Sequence, residues 1–356
     1  MHLGPRAGDH DNNFNLLRMV AAAAVLFSHC FALTSGSGEA EPLRRTLGMT
    51  PGTIAVDVFF VASGFLVTAS LLGSGSLAAY LRARALRIFP ALWVATLLTV
   101  LAAALCLAAV PAVELLAQRG TRSYLLKNLT LLFGVRTTLP GVLENVPFAG
   151  VLNGSLWTLP YELRLYLALA GLWLLLPRRA AELGLAVPLL AASCMAAHLL
   201  LGPERSSDGL RFTALFMAGA ALQLWRERVR LDARGVGAAL VLLAASALWH
   251  VRAFHVAYHL LLPWLVVVLA HAPCGPLRAY NRVGDYSYGT YIYAFPVQQA
   301  CIAAVPGLTA WGLLPLSLAA TLALAVLSWH LVEKPALRLK RRRTDSPAAA
   351  QPPGPA

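Results

Sequence analysis

The sequence predicts an all-α fold: a polytopic transmembrane helical bundle of about ten spans with both termini cytoplasmic. Three observations carry this prediction. Of the 356 residues, 58% are hydrophobic and only 13% are charged, about half the charged share of a soluble domain. Mean hydropathy is +0.65. Apolar stretches close to 20 residues recur from end to end, and that length crosses a hydrocarbon core of about 30 Å. The net charge of +13 reads as positive-inside bias, so the expected partner is the lipid bilayer and not a nucleic acid.

Residues 1–13 form a polar tail without a cleavage pattern beyond it, so the first span, near 15–34, is expected to stay as an anchor. It carries Arg18 and His29. Eleven residues are almost three helical turns, which puts both side chains on one face about 16 Å apart along the axis. The second span, near 52–72, carries Asp57. The third, near 86–110, follows YLRARALRIFP, where Arg84 and Arg87 are three apart and share a face. Segment 111–154 holds apolar pieces too short to span and is expected to form surface or re-entrant helices. The fourth span, near 156–176, opens with SLWTLPYELRLY and carries Glu162, with Arg164 as a candidate counter-ion for Glu162 or Asp57.

Further spans are expected near 182–201, 210–225, 236–250 and 255–271. The ninth, near 287–305, carries Gln298 and Gln299, and the tenth runs near 311–332. A single transmembrane domain, 14–338, is followed by a basic, Pro/Ala-rich tail, 339–356, expected to be disordered. Cytoplasmic termini place 19 of the 29 Lys and Arg residues inside, as the positive-inside rule asks. The five cysteines form no CxxC pair and suggest neither a disulfide framework nor a zinc site. His255 and His259 have metal-compatible i, i+4 spacing, but no third ligand is visible, so no metal site is expected. His198, His271 and His330 sit at span ends and need no role.

Span directions place His29, Asp57 and Glu162, with Gln298 and Gln299, in one layer about 10 Å below the outer surface. Ionisable groups at that depth are expensive and face a cavity or a partner. A histidine with a carboxylate behind it is general-base chemistry: the imidazole takes a proton and the carboxylate stabilises the imidazolium. Whether Asp57 or Glu162 is that partner stays open. Arg18, Arg84 and Arg87 lie together at the inner lip, where forked guanidinia suit phosphates. Trp157, Tyr161 and Tyr291 are candidates to line a channel or stack on a sugar, and Gln298 is a candidate substrate contact.

In NFNLLRMVAAAAVLFSHCFALTSG, AVDVFFVASGFLV, RARALRIFPALW, SLWTLPYELRLYL, VGDYSYGTYIYAFPVQQ and HLVEKPALRLK the chain resembles the membrane acyltransferase-3 family of bacterial O-acyltransferases. The resemblance implies an inner-membrane enzyme with no permanently bound cofactor. It would move an acyl group, commonly acetyl, from cytoplasmic acyl-CoA to a hydroxyl of a carbohydrate such as a surface polysaccharide or its lipid-linked precursor. His29 would then be the general base, and Glu162 and Asp57 its acidic companions. Arg84 and Arg87, with Arg18, would hold the CoA phosphates. Many members carry a histidine in the ninth span where this chain has Ala294. The alternative is a proton-coupled transporter or flippase of a small molecule or lipid-linked sugar, in which the same groups relay protons. Clear inverted halves, which would favour it, are not visible.

Overall fold

The computed structural model describes residues 12–176, 180–202, 205–272 and 275–340. Among them stand ten helices of 17 residues or more: α1 (Phe14–Ser35), α2 (Pro51–Leu72), α3 (Leu77–Ala102), α4 (Leu159–Leu175), α5 (Ala180–Leu201), α6 (Asp208–Leu224), α7 (Ala233–Trp249), α8 (Val251–His271), α9 (Ser287–Ala304) and α10 (Ala310–Ser328). Each overlaps an expected span, although α3 starts nine residues before the expected 86 and so carries Arg82, Arg84 and Arg87 within the helix. Six are long and apolar enough to cross a membrane; α10 is one of them and runs on through a π-helical turn, Trp329–Glu333, to Arg338. The other four, α4, α6, α7 and α9, are 17 or 18 residues long. The basic residues Arg6, Arg178, Arg179, Arg341, Arg342 and Arg343, and most of both tails, lie outside the described residues.

Local chemistry sets the helix ends. Thr50 accepts from Thr53 N at the start of α2, with Pro51 in the first turn where its missing N–H costs nothing. Ser76, Ser207 and Thr309 cap α3, α6 and α10 in the same way. Leu200, Leu248 and Trp249 point outward at 80%, 89% and 82% exposure. An apolar exterior of this kind suits lipid and not water.

The centre is built on α1, which packs against α2, α9 and α10, while α2 crosses α6. That last crossing is as close as backbones allow. A Cβ on Gly64 would lie 1.9 Å from Phe216 O, and one on Gly219 would lie 2.1 Å from Val61 O. Small residues let membrane helices meet in this way. Seven residues above Gly64 stands Asp57, and eight before Gly219 stands Arg211, so the crossing sets the distance between those two side chains.

Segment 111–154 contains the expected short helices, Ala112–Ala117 and Arg119–Thr130. The chain after them then descends into the bundle. Gln299 Nε2 donates to Phe148 O and Val151 O (2.8 and 2.9 Å), and Asn153 Nδ2 donates to Ile292 O (3.0 Å). Ile292 is twelve residues from the end of α9, about 18 Å along its axis. The chain entering α4 is therefore already deep inside the protein at Gly154–Thr158, a 3-10 turn.

Candidate active site

Three cavities with shared walls lie in series beside α2. The first is lined by Arg18 from α1, Ser63 from α2, Arg84 and Arg87 from α3, Glu162 and Tyr166 from α4, and Tyr288 and Tyr291 from α9. The second, of about 170 Å³, is lined by His29, Glu41, Thr50, Trp157, Arg211 and Tyr291, among others. The third, of about 310 Å³, is lined by Arg44, Trp157, His198, Asp208, Arg211, His255 and His259, among others. Val56 and Tyr291 belong to the walls of the first and second; Thr53, Trp157 and Arg211 belong to those of the second and third.

The arginine cavity gathers the basic residues that the sequence singled out, with acidic partners that it did not. Asp285 Oδ2 receives Arg18 Nη1 at 2.9 Å and Arg87 Nη2 at 2.6 Å. Arg87 Nη1 also reaches Glu333 Oε2 at 3.4 Å, and the π-helical turn after α10 carries that glutamate inward. Burial alone would push the Asp285 carboxyl up. The Arg18 and Arg87 guanidinia and the Ser287 hydroxyl outweigh it and hold the group down to about 2. Arg84 is different: it donates to Ser70 Oγ at 3.4 Å, lies 5.9 Å over the Tyr166 ring, and its Nε has no partner. Of the three arginines lining this cavity, Arg84 is thus the one with no carboxylate partner among the described residues, the one best placed to receive a phosphate.

His29 stands edge-on to Phe295 with ring centroids 5.2 Å apart, and its Nδ1 is buried without a hydrogen-bond partner. The carboxylate that shares its cavity is Glu41, on the irregular segment between α1 and α2. Glu41 accepts from the hydroxyl of Ser28, the residue beside His29. Burial pushes the Glu41 carboxyl above its usual range, against the opposing hydrogen bonds of Ser28 and Thr50 and the charge of Arg44.

The two acids expected behind His29 are placed elsewhere. Asp57 is wholly buried; it accepts from Tyr258 O–H at 3.1 Å and lies 3.5 Å from Arg211 Nε. It reaches the histidine cavity only through Arg211, whose other end holds Asp208 Oδ1 at 2.9 Å. Glu162 lines the arginine cavity, accepting from Ser63 Oγ at 3.1 Å and from Tyr166 O–H. The expected single layer splits because that depth assumes a fourth span beginning at the membrane surface, whereas α4 starts deep in the bundle. Arg164 is no counter-ion to either acid: it is exposed and lies 5.8 Å over the Tyr161 ring.

Trp157 lines both the histidine cavity and the third cavity, and Tyr291, bonded to Thr158 Oγ1 at 2.7 Å, lines the histidine and arginine cavities. Tyr161 packs edge-on against Phe212 and lines none of the three. Gln298 donates to Leu26 O at 2.8 Å and to Cys30 Sγ at 3.1 Å, tying α9 to α1 away from the cavities. Ala294 is fully buried in that same seam. His198 is no span-end bystander: it faces His259 across 3.2 Å. Among the described residues no group of three or more His, Cys, Asp or Glu side chains is arranged to hold a metal ion.

The sequence signals for the missed residues are modest. Asp285 lies in the quoted VGDYSYG stretch, at the α9 end that the span order brings beside Arg18. Glu41 lies in a Gly/Ser/Glu-rich loop with no periodicity, and only its nearness to the His29 end of α1 could have flagged it.

The family model described as "Acyltransferase domain", of the acyltransferase-3 type, matches residues 11–330. The chain is similar to "Nodulation protein 10" of Rhizobium leguminosarum bv. viciae, with 31% identity over 95% of this chain and 97% of that relative. It is also similar to an "O-acetyl transferase" of Shigella phage Sf6, with 30% identity over 91% of this chain and 95% of that relative. No solved structure matches.

Proposed function

Since the chain belongs to the acyltransferase-3 family and is a multi-pass membrane O-acyltransferase, we propose that it carries an acyl group, acetyl in the first instance, from acyl-CoA to a carbohydrate hydroxyl. The supporting observation is the series of three cavities with shared walls. The arginine cavity is the donor mouth on the cytoplasmic side, where both termini lie and ten spans return the chain. Arg84 takes a CoA phosphate, while Arg18 and Arg87, held by Asp285, shape the mouth. The thioester reaches the wall formed by Val56 and Tyr291, next to His29. The acceptor enters from the opposite side, past Trp157.

In the reaction the acceptor O–H gives its proton to His29 as its oxygen attacks the thioester carbonyl. The C–S bond breaks, and the imidazolium returns the proton to the CoA thiolate. Glu41 lies in the same cavity, where its carboxylate stabilises the imidazolium. Asp57 holds Arg211 in the cavity wall. Donor and acceptor thus meet without either crossing the membrane, which suits glycan modification at a bacterial inner membrane.

The test uses proteoliposomes supplied with radiolabelled acetyl-CoA and a glycan acceptor. His29→Ala that inserts normally is expected to lose transfer by about 10²–10⁴-fold, the usual contribution of a general base. Full activity in that variant overturns the assignment. Solute or lipid movement without any acetyl-CoA consumption would favour a proton-coupled transporter instead.

A further inference from the structure

We propose that the third cavity is the acceptor subsite and that it takes a neutral, polyhydroxylated sugar ring in preference to an acidic one. The inference rests on the transferase reading above and adds the place and chemical class of the acceptor.

The cavity joins the His29 cavity through Thr53, Trp157 and Arg211, so a ring seated there has a hydroxyl within reach of the histidine. Trp157 forms the junction and is backed by Phe212, with ring centroids 5.5 Å apart. An indole face flanked by hydrogen-bonding side chains is a carbohydrate surface, because pyranose C–H groups pack on it while the hydroxyls turn to polar partners. At about 310 Å³ the cavity sits at the low end of the ~300–1,000 Å³ range of ligand pockets.

The polar walls argue for neutrality. The three imidazoles form an ordered chain. Ser206 O–H donates to His198 Nδ1 at 2.6 Å, and His198 Nε2 meets His259 Nε2 at 3.2 Å. His259 Nδ1–H donates to His255 O at 2.8 Å, and His255 Nε2–H donates to Leu47 O at 2.9 Å. Assigned from these partners, each ring is a neutral tautomer, with both nitrogens of His198 and of His259 paired. The cations are paired as well: Arg211 with Asp57 and Asp208, Arg44 with Glu39. Two buried atoms of the lining residues have no hydrogen-bond partner: Arg211 Nε, which lies 3.5 Å from the Asp57 carboxylate, and the lone pair of His255 Nδ1, on a residue 7% exposed. A sugar hydroxyl donates to it. A carboxylate cannot, and it would meet Asp208 with no unpaired cation to offset the repulsion.

The experiment titrates the intact protein, purified in a non-glycosidic detergent, with methyl α-glucoside, methyl α-galactoside, methyl α-rhamnoside and methyl glucuronide. Binding is read directly, and acetyl transfer is read in parallel. Decyl glycosides of the same sugars report whether the ring is taken free or as part of a lipid-linked acceptor. At least one neutral glycoside is expected to bind about tenfold or more tighter than the glucuronide. His255→Phe should raise its Kd and acceptor KM about tenfold, with acetyl-CoA KM held. His255→Gln, which restores an acceptor atom, should recover most of the loss. Asp208→Asn, at the exposed mouth, serves if His255→Phe does not fold, and it should narrow the gap between neutral and acidic sugars.

Glucuronide binding as tight as any neutral glycoside, or acceptor affinity indifferent to these substitutions, overturns the subsite. Because sugar binding is measured without turnover, a protein that binds these glycosides yet consumes no acetyl-CoA would refute the transferase reading while leaving the subsite standing.

Discussion

Arg84 and Arg87 occupy one helical face three residues apart, yet the structure gives them opposite consequences when removed. Arg87 connects Asp285 and Glu333, and Glu333 is only 2% exposed. Arg87→Ala strands Glu333 with Ser328 as its remaining hydrogen-bond donor, at 3.0 Å. Breaking one side of a buried pair costs about 3–5 kcal/mol, a large part of a total stability of roughly 5–15 kcal/mol. Arg87→Ala should therefore fail at folding, with a lower melting temperature and yield. Arg84 has no carboxylate to strand. Arg84→Ala should keep its fold and lose only the charge-assisted contact proposed to the donor phosphate, about 1.5–3 kcal/mol. That corresponds to a rise of about 10- to 150-fold in KM for acetyl-CoA, with acceptor KM unchanged. Arg84→Lys should recover part of the loss, because it restores the charge without the fork. The assay is initial-rate acetyl transfer in proteoliposomes against acetyl-CoA concentration, with thermal melting in parallel. A wild-type KM in a well-folded Arg84→Ala, or a stable Arg87→Ala that carries the KM effect instead, would refute the reasoning.

Two further outcomes follow from the same geometry. Glu41 binds its proton more tightly in the folded protein than in the unfolded chain, so its contribution to stability is present at low pH and is lost as pH rises through the raised value. The melting temperature of the wild type relative to Glu41→Gln should rise as pH falls from about 7.5 towards the ordinary glutamate range near ~4.5, and a flat difference would show that Glu41 is not desolvated. Gly219→Ala places a methyl 2.1 Å from Val61 O, so α2 and α6 must separate. The expected loss is at least the ~1–3 kcal/mol of an overpacked core, measured by thermal melting, together with a weaker Asp57–Arg211 pair, whereas unchanged melting would mean that the two helices are not in close contact.

Much of the scaffold could be read from the sequence because hydropathy reports directly on helix position. The helices fall where 20-residue apolar runs stand, and the Arg18–His29 spacing needs only the rise of one helix to place both ends. The site was harder because its partners come from segments with no such period. Glu41 and Asp285 lie in turns, where the side-chain direction is set by tertiary contacts that a spacing rule does not see. Glu162 was misplaced for a related reason: depth counted along a helix assumes that the helix begins at the membrane surface. Residues 131–158 break that assumption by descending beside α9, held by Gln299 and Asn153. A polar side chain within an apolar span identifies a site; its depth follows only when the loop before the span is also known.

The distribution of unsatisfied groups is consistent with the three cavities serving the proposed reaction. A bundle of this kind stabilises most of its buried charge in pairs: Arg18 and Arg87 with Asp285, Arg87 with Glu333, Arg211 with Asp57. Such pairs hold helices together and have little left to offer a ligand. Among the buried atoms without a hydrogen-bond partner, Arg84 Nε belongs to a residue of the first cavity, His29 Nδ1 to one of the second and His255 Nδ1 to one of the third, while Arg211 Nε, 3.5 Å from Asp57 Oδ1, belongs to a residue shared by the second and third. A buried polar atom without a partner costs roughly 1–3 kcal/mol, so each site is stabilised when something binds to it. The cationic donor faces the arginine mouth, the basic nitrogen stands in the middle, and the hydrogen-bond acceptor waits in the third cavity. An anionic donor, a proton in transit and a hydroxylated acceptor would satisfy them in that order, which is the order the proposed transfer requires.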